Sequence, residues 1–125
     1  MSLPRAIHTH ESNACNQAIK VWAVDGPGPG NASHKYLLEV SAEGSDPVAV
    51  ALHFQNGPIG EVGVNGITHE ALLAVLIDRM QGFQSGPYAC RENAIALTKL
   101  EEALMWLNNR TAKRVQRGVE GTHIV

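Results

Sequence analysis

The sequence predicts an α+β fold: an N-terminal antiparallel β-sheet followed by two antiparallel C-terminal α-helices, assembled as an oligomer. Three observations predict it. Short β-branched or alternating segments separated by turn signals fill residues 17–66. Two long helical patterns fill residues 67–117. The second of these is too long for a compact domain of this size. At 125 residues the chain reads as one domain, 1–125, with a loose arm over 1–16, a β-core over 17–66, and a helical pair with a C-terminal tail over 67–125.

The arm is polar and has no period. Residues 17–24 are short and β-branched, which predicts a strand. Asp25-Gly26-Pro27-Gly28-Pro29-Gly30 follows. Its two prolines remove backbone N–H groups that a phosphate loop must donate, so it reads as a plain connection. Residues 34–41 alternate, with Tyr36, Leu38 and Val40 on one face. Glu43-Gly44-Ser45-Asp46-Pro47 signals a turn. Residues 48–55 alternate again, with Val48, Val50, Leu52 and Phe54 on one side. A fourth short strand is expected from Ile59 to Val64. Gly57, Gly60, Gly63 and Gly66 recur every third residue and suit bulges, turns or close backbone contacts.

Thr68 is a good N-cap and Glu70 an acid in the first turn, so a helix should run from there to about Phe83. Ala71 through Ile77 is apolar all round, which calls for burial on more than one side. A second helix is expected from about Pro87 to Arg117, with Gly118 ending it. Leu97, Leu100, Leu104, Leu107 and Thr111 form its heptad-like seam. Roughly 30 residues at ~1.5 Å each give ~45 Å. A compact domain of ~100 residues has a radius near ~13 Å, so the helix overhangs it and calls for a neighbouring subunit.

The bulk numbers narrow the function classes. The net charge of −2 argues against a broad DNA or RNA footprint. No apolar run approaches ~18 residues, so no membrane-spanning helix is expected. The first residues lack a secretory h-region, and Cys15 and Cys90 lack C-x-x-C spacing; both read as free thiols in a reducing cytoplasm. The six histidines show no i, i+4 metal pair, and no G-x-S-x-G, P-loop or zinc signature appears, so neither catalytic residues, a metal nor a cofactor is expected. Glu101 and Glu102 point about 100° apart on a helix and read as a solvated face.

What remains is a recognition set. Arg110, Lys113, Arg114 and Arg117 share a helical stripe. They either complement the C-terminal helix dipole or hold phosphate. Phe83 is either a core plug or a stacking surface for a base. Asn93 either caps its helix or hydrogen-bonds a base edge or a ribose. Arg91 is a further basic residue beside that turn.

Phe54-Gln55-Asn56-Gly57-Pro58-Ile59-Gly60-Glu61-Val62-Gly63-Val64-Asn65-Gly66, then Ile67-Thr68-His69-Glu70-Ala71-Leu72-Leu73, then Gly82-Phe83-Gln84-Ser85-Gly86-Pro87 with Cys90-Arg91-Glu92-Asn93, then Arg117-Gly118-Val119-Glu120-Gly121-Thr122, resemble the first-described Thoeris anti-defence protein family of bacteriophages. The resemblance covers about residues 48–125. It implies a non-enzymatic sponge in the cytoplasm of the infected bacterial host. Such proteins sequester, without degrading, a cyclic ADP-ribose isomer that TIR-domain defence enzymes make from NAD. It also implies a β-core with two C-terminal helices, assembled as dimers or hexamers. Some members hold cyclic trinucleotides at a second site; here only the basic stretch ending at Arg117 is tied to one. Carried onto this chain, the stacking aromatic is Phe83, the polar contact Asn93 and the phosphate partner Arg110, with Arg91 and Arg117 as further ligand-binding candidates. A phosphodiesterase of the same signal, or a sponge for cyclic oligonucleotides, is the competing reading.

Asn93 and Arg110 lie 17 residues apart, or ~25 Å along a helix. One ligand of ADP-ribose size does not reach both in one chain. Two second helices packed antiparallel would bring Arg110 of one chain beside Asn93 of the other, giving two pockets per symmetric dimer.

Overall fold

The computed structural model describes residues 3–41 and 43–125. The chain divides into two compact units, residues 1–57 with 64–66, and residues 58–63 with 67–125.

The first unit is a four-stranded antiparallel meander in the order β1-β2-β3-β4, with β1 at Arg5–Ile7, β2 at Ile19–Ala23, β3 at Lys35–Val40 and β4 at Val48–His53. The register places Ile7, Val21, Leu38 and Val50 in one cross-strand row, and Ala23, Tyr36 and Leu52 in the next. Side chains alternate across a strand, so these rows build one apolar face. Ala23 at its centre is fully buried, whereas Val48 and Val50 on the last strand stay open. Phe54 meets Tyr36 edge to face at 5.7 Å. On the other face, the indole Nε1 of Trp22 donates to Glu39 Oε1 at 2.7 Å.

Two expectations are corrected here. The stretch 1–16 is not a structureless arm over its described part. Residues 5–7 pair with β2, and Ala14–Gln17 form a short helix α1 whose N-cap Asn13 accepts from the Asn16 N–H at 2.9 Å. Ile59 to Val64 is not a strand. Ile59–Val62 wind into a helical turn, α2, with Pro58 as its N-cap. Thus the sheet has four strands, but its fourth member comes from the N-terminus. Three residues are too few for a visible sequence period, which is why β1 escapes notice.

The second unit is a helical hairpin. Helix α3 runs His69–Gln84 with Thr68 as N-cap, its Oγ1 accepting from Ala71 N–H at 3.0 Å. Helix α4 runs Arg91–Gln116, 26 residues, or about 39 Å. It starts four residues later than Pro87. The Gln84 side chain explains the delay: its Oε1 accepts from Cys90 N–H at 3.1 Å and its Nε2 donates to Cys90 O at 3.2 Å, with Cys90 in an extended conformation. So short a connection turns the two helices antiparallel. The half-buried residues of α4 are Asn93, Leu97, Leu100, Leu104, Leu107, Asn109 and Thr111, with buried Arg114 beyond them, and all but Asn109 keep one heptad phase. That is the expected seam, ended by a polar residue at each side. Val75, Leu76, Ile95, Met105 and Trp106 lie off it and are exposed.

Gly118, at φ +73°, ends α4. Val119 N–H donates to Arg114 O at 3.1 Å and Gly118 N–H to Val115 O at 3.0 Å, the paired bonds of a Schellman cap. Cys15 and Cys90 are free and exposed. No helix among the described residues is long and apolar enough to cross a membrane.

Candidate functional site

The candidate residues fall into two clusters at opposite ends of α4. At the hairpin turn, Phe83 lies in the last turn of α3 and is 36% exposed. That degree of exposure does not fit a core plug. The guanidinium of Arg79, one helical turn earlier, sits 5.0 Å from its ring centroid. One ring face is therefore engaged in a cation–π contact, and a base stacks either on the other face or in place of Arg79. Asn93 is half-buried at the first seam position, and its side-chain amide has no partner among the described residues. Arg91 opens α4, exposed and equally unpartnered. A cation there opposes the helix dipole and does not stabilise the start of α4.

The other cluster is built by the C-terminal tail. Arg114 is only 9% exposed. Its Nη1 donates to Ile124 O at 2.7 Å, its Nη2 to Val119 O at 3.0 Å and Thr122 O at 3.1 Å, and its Nε to Glu120 Oε2 at 3.1 Å. Five fixed donors suit this task, which a lysine with one ammonium does not match. The tail also meets α2. Gly60 N–H donates to Gly121 O at 2.7 Å, and a Cβ at Gly60 would lie 2.5 Å from that oxygen, so only glycine fits. His123 Nδ1 pairs with Glu61 Oε1 at 3.0 Å.

Folded back in this way, the tail leaves a cleft of about 470 Å³ beside α4. Trp106, Asn109, Arg110 and Lys113 line it from one helix face, with Arg114, Arg117 and Val125 at its tail end. Arg110 and Lys113 are exposed and have no intramolecular partner among the described residues. Arg117 donates through Nη2 to Val125 O at 2.5 Å. The basic stripe is therefore of two kinds. Arg114 holds the tail, whereas Arg110 and Lys113 are free to face an anion.

The structure thus lines one cleft with Arg110 and Arg117, and leaves Phe83, in the last turn of α3, and Asn93, in the first turn of α4, at the other end of the hairpin, so the two clusters do not meet within one chain. Sequence reasoning missed Arg79 and Trp106. The signal for Trp106 was present: it sits one position off the leucine seam and four residues before Arg110, hence on the cationic face.

The chain matches the family model described as Acb2/Tad1, hairpin domain, over residues 48–112. It is also 62% identical over 72 residues to Thoeris anti-defense 1 of Bacillus phage SBSphiJ7. That alignment covers 58% of this chain and 51% of the relative, so the chain spans about half the length of the curated relative it matches.

Proposed function

We propose a function from one premise: the chain belongs to the Acb2/Tad1 hairpin-domain family. It is a phage anti-defence protein that blocks Thoeris signalling in the cytoplasm of the infected host. It does so by sequestering a cyclic ADP-ribose isomer without chemical turnover. Phe83 stacks the base, Asn93 hydrogen-bonds the nucleoside, and Arg110 binds the phosphates, supported by Arg91 or Arg117. Because Asn93 and Arg110 are ~25 Å apart along α4, a second protomer completes each pocket, in a dimer or a higher homo-oligomer such as a hexamer. A cyclic trinucleotide is the candidate second ligand, tied to the basic stretch ending at Arg117.

The observation that carries this reading is the free cationic pair, Arg110 and Lys113, facing a cleft within the volume range of small-molecule sites. Pyrophosphate recognition needs such unengaged donors. The deciding experiment incubates the protein with the product of a TIR-domain enzyme, isolates the complex, releases the ligand by heat, and identifies it by mass spectrometry. An intact cyclic ligand is the expected result. A hydrolysed ligand would replace the sponge by a phosphodiesterase, and no captured ligand would end the proposal.

A further inference from the structure

We propose that Asn56 is a site of spontaneous covalent modification: its side chain cyclises onto the nitrogen of Gly57 and opens to an aspartyl or isoaspartyl residue, with Asn65 as the activating group. The chain has two Asn-Gly pairs, Asn56-Gly57 and Asn65-Gly66, both in the stretch where glycine recurs every third residue. Such a pair suits this chemistry, because glycine puts no side chain in the way of the attacking nitrogen. Both asparagines are exposed, so access to water does not separate them. Hydrogen bonding does. The Asn65 carboxamide is engaged at both ends: its Oδ1 accepts from Asn56 N–H at 2.8 Å and its Nδ2 donates to Asn56 O at 2.7 Å. Gly66 behind it is packed so closely that a Cβ there would lie 2.5 Å from the Phe54 carbonyl carbon. The Asn56 carboxamide has no hydrogen-bond partner among the described residues, and neither has the Gly57 N–H.

The bonds that protect Asn65 activate its neighbour. The carbonyl that accepts from Asn65 Nδ2 belongs to the peptide whose nitrogen, on Gly57, must lose its proton. A donor at 2.7 Å on that oxygen stabilises the negative charge that spreads onto it. Hydroxide takes the Gly57 N–H proton and becomes water. The nitrogen then bonds to Asn56 Cγ, the Cγ–Nδ2 bond breaks, and Nδ2 leaves as ammonia with a proton from water, which regenerates hydroxide. Water next adds to either carbonyl of the five-membered ring and the C–N bond there breaks, leaving a carboxyl group at position 56. Gly57, at φ +95°, holds a conformation that a larger residue resists, so the turn that requires glycine also carries the reaction. In the isoaspartyl product the main chain runs through the former side chain and gains one atom. Position 56 then no longer meets both ends of the Asn65 amide.

The test incubates the whole folded chain at mildly alkaline pH beside the same chain unfolded in urea. A protease that cuts after Glu61 then places the two asparagines in separate peptides for mass spectrometry. In the folded chain the Asn56 peptide should exchange amide for acid roughly ten-fold faster than the Asn65 peptide, since Asn65 must first break two hydrogen bonds. In urea the two rates should converge. An isoaspartyl-specific methyltransferase should label the Asn56 peptide of the folded chain and not the Asn65 peptide. Asn65→Asp keeps an acceptor for Asn56 N–H but replaces the donor by an anion, and should slow the reaction at Asn56 by about ten-fold. The wild-type comparison stands without that variant. Equal rates at the two sites in the folded chain overturn the inference. So does a rate at Asn56 in the folded chain well below that in urea, which would mean that the held backbone blocks ring closure. A folded Asn65→Asp variant that reacts at Asn56 as fast as wild type overturns the activating role of Asn65 and the inference with it.

Discussion

The two compact units tie down their longest irregular segments with one charged side chain each, of opposite sign. In the sheet unit, Asp25 folds the 25–35 connection. Its carboxylate accepts from Lys35 N–H at 3.0 Å and from His34 N–H at 3.1 Å. In the helical unit, Arg114 folds the 118–125 tail by donating to carbonyls. The difference lies in solvent: Asp25 is half-buried, whereas Arg114 is only 9% exposed. A charge-assisted bond in water exchanges partners at little net gain, whereas a buried guanidinium left unpaired, or carbonyls left orphaned, costs several kcal/mol. What this teaches concerns function. A charge in the sequence is available to a ligand only if the backbone has not already engaged it. Arg114 is engaged, and Arg110 is not.

Removing Arg114 is the strongest way to break the comparison. Arg114→Ala should lower stability by about 3 kcal/mol, because three tail carbonyls and Glu120 lose their donor. Urea denaturation at pH 7 measures it. Arg114→Lys should recover less than half, since one ammonium does not span those acceptors. A loss below ~1 kcal/mol would mean that the tail is not held by this residue and that Arg114 is as free as its neighbours.

Arg110 tests the other side. Arg110→Ala should leave stability within about 0.5 kcal/mol of wild type and weaken capture of the cyclic signal by roughly 1.5–3 kcal/mol. Asn93→Ala should cost somewhat less. Mixing the two variants under conditions that exchange protomers should restore about one intact pocket per heterodimer, because one interface then carries both wild-type residues. Verified heterodimers with no restored site would show that Arg110 and Asn93 do not meet across an interface. Arg91 would then be the next candidate for the phosphate contact near Asn93.

The same distinction explains how much was legible in the sequence. The seam, the Thr68 cap, the Gly118 stop and the strands β2 to β4 follow from local patterns that act within a few residues. So does the placing of Phe83 near the end of one helix and Asn93 near the start of the next. The role of Arg114 was not legible, because the carbonyls it holds have no side-chain signature. Helical phase alone put it in one stripe with Arg110 and Lys113. The turn at Ile59–Val62 was misread as a strand because Val and Ile favour strands locally. Its helical form comes with a contact to Gly121, about sixty residues away, which no local pattern reports.

Phe83 gives a smaller effect. Phe83→Ala should weaken binding of the cyclic signal by roughly 1–3 kcal/mol, the usual worth of a stacked base. Its cost in stability should fall below the ~3–5 kcal/mol of a buried phenylalanine, since the ring is 36% exposed. Arg79→Ala frees the covered ring face. Tighter ligand binding in that variant would show that Arg79 competes with the base, and weaker binding that it helps to hold it. A large fall in melting temperature for Phe83→Ala, with affinity unchanged, would return Phe83 to the core.

Asp25 should give the smallest effect, and pH isolates it. The backbone N–H groups of Lys35 and His34 hold its carboxyl below the ordinary value of 3.8, against a smaller opposing push from desolvation. A depressed carboxyl stabilises the folded loop fully above its unfolded value, and that contribution disappears as pH falls through the lower, folded value. The Asp25 clamp should therefore act at full strength at neutral pH. It should loosen only below 3.8. The amide resonance of Lys35, followed by NMR during acid titration, should inflect below that value and lose that inflection in Asp25→Asn. Inflection above it would mean that the carboxylate is not held by these amides. The contrast between a half-buried anion and a buried cation, each closing one loop, would then fail on the sheet side.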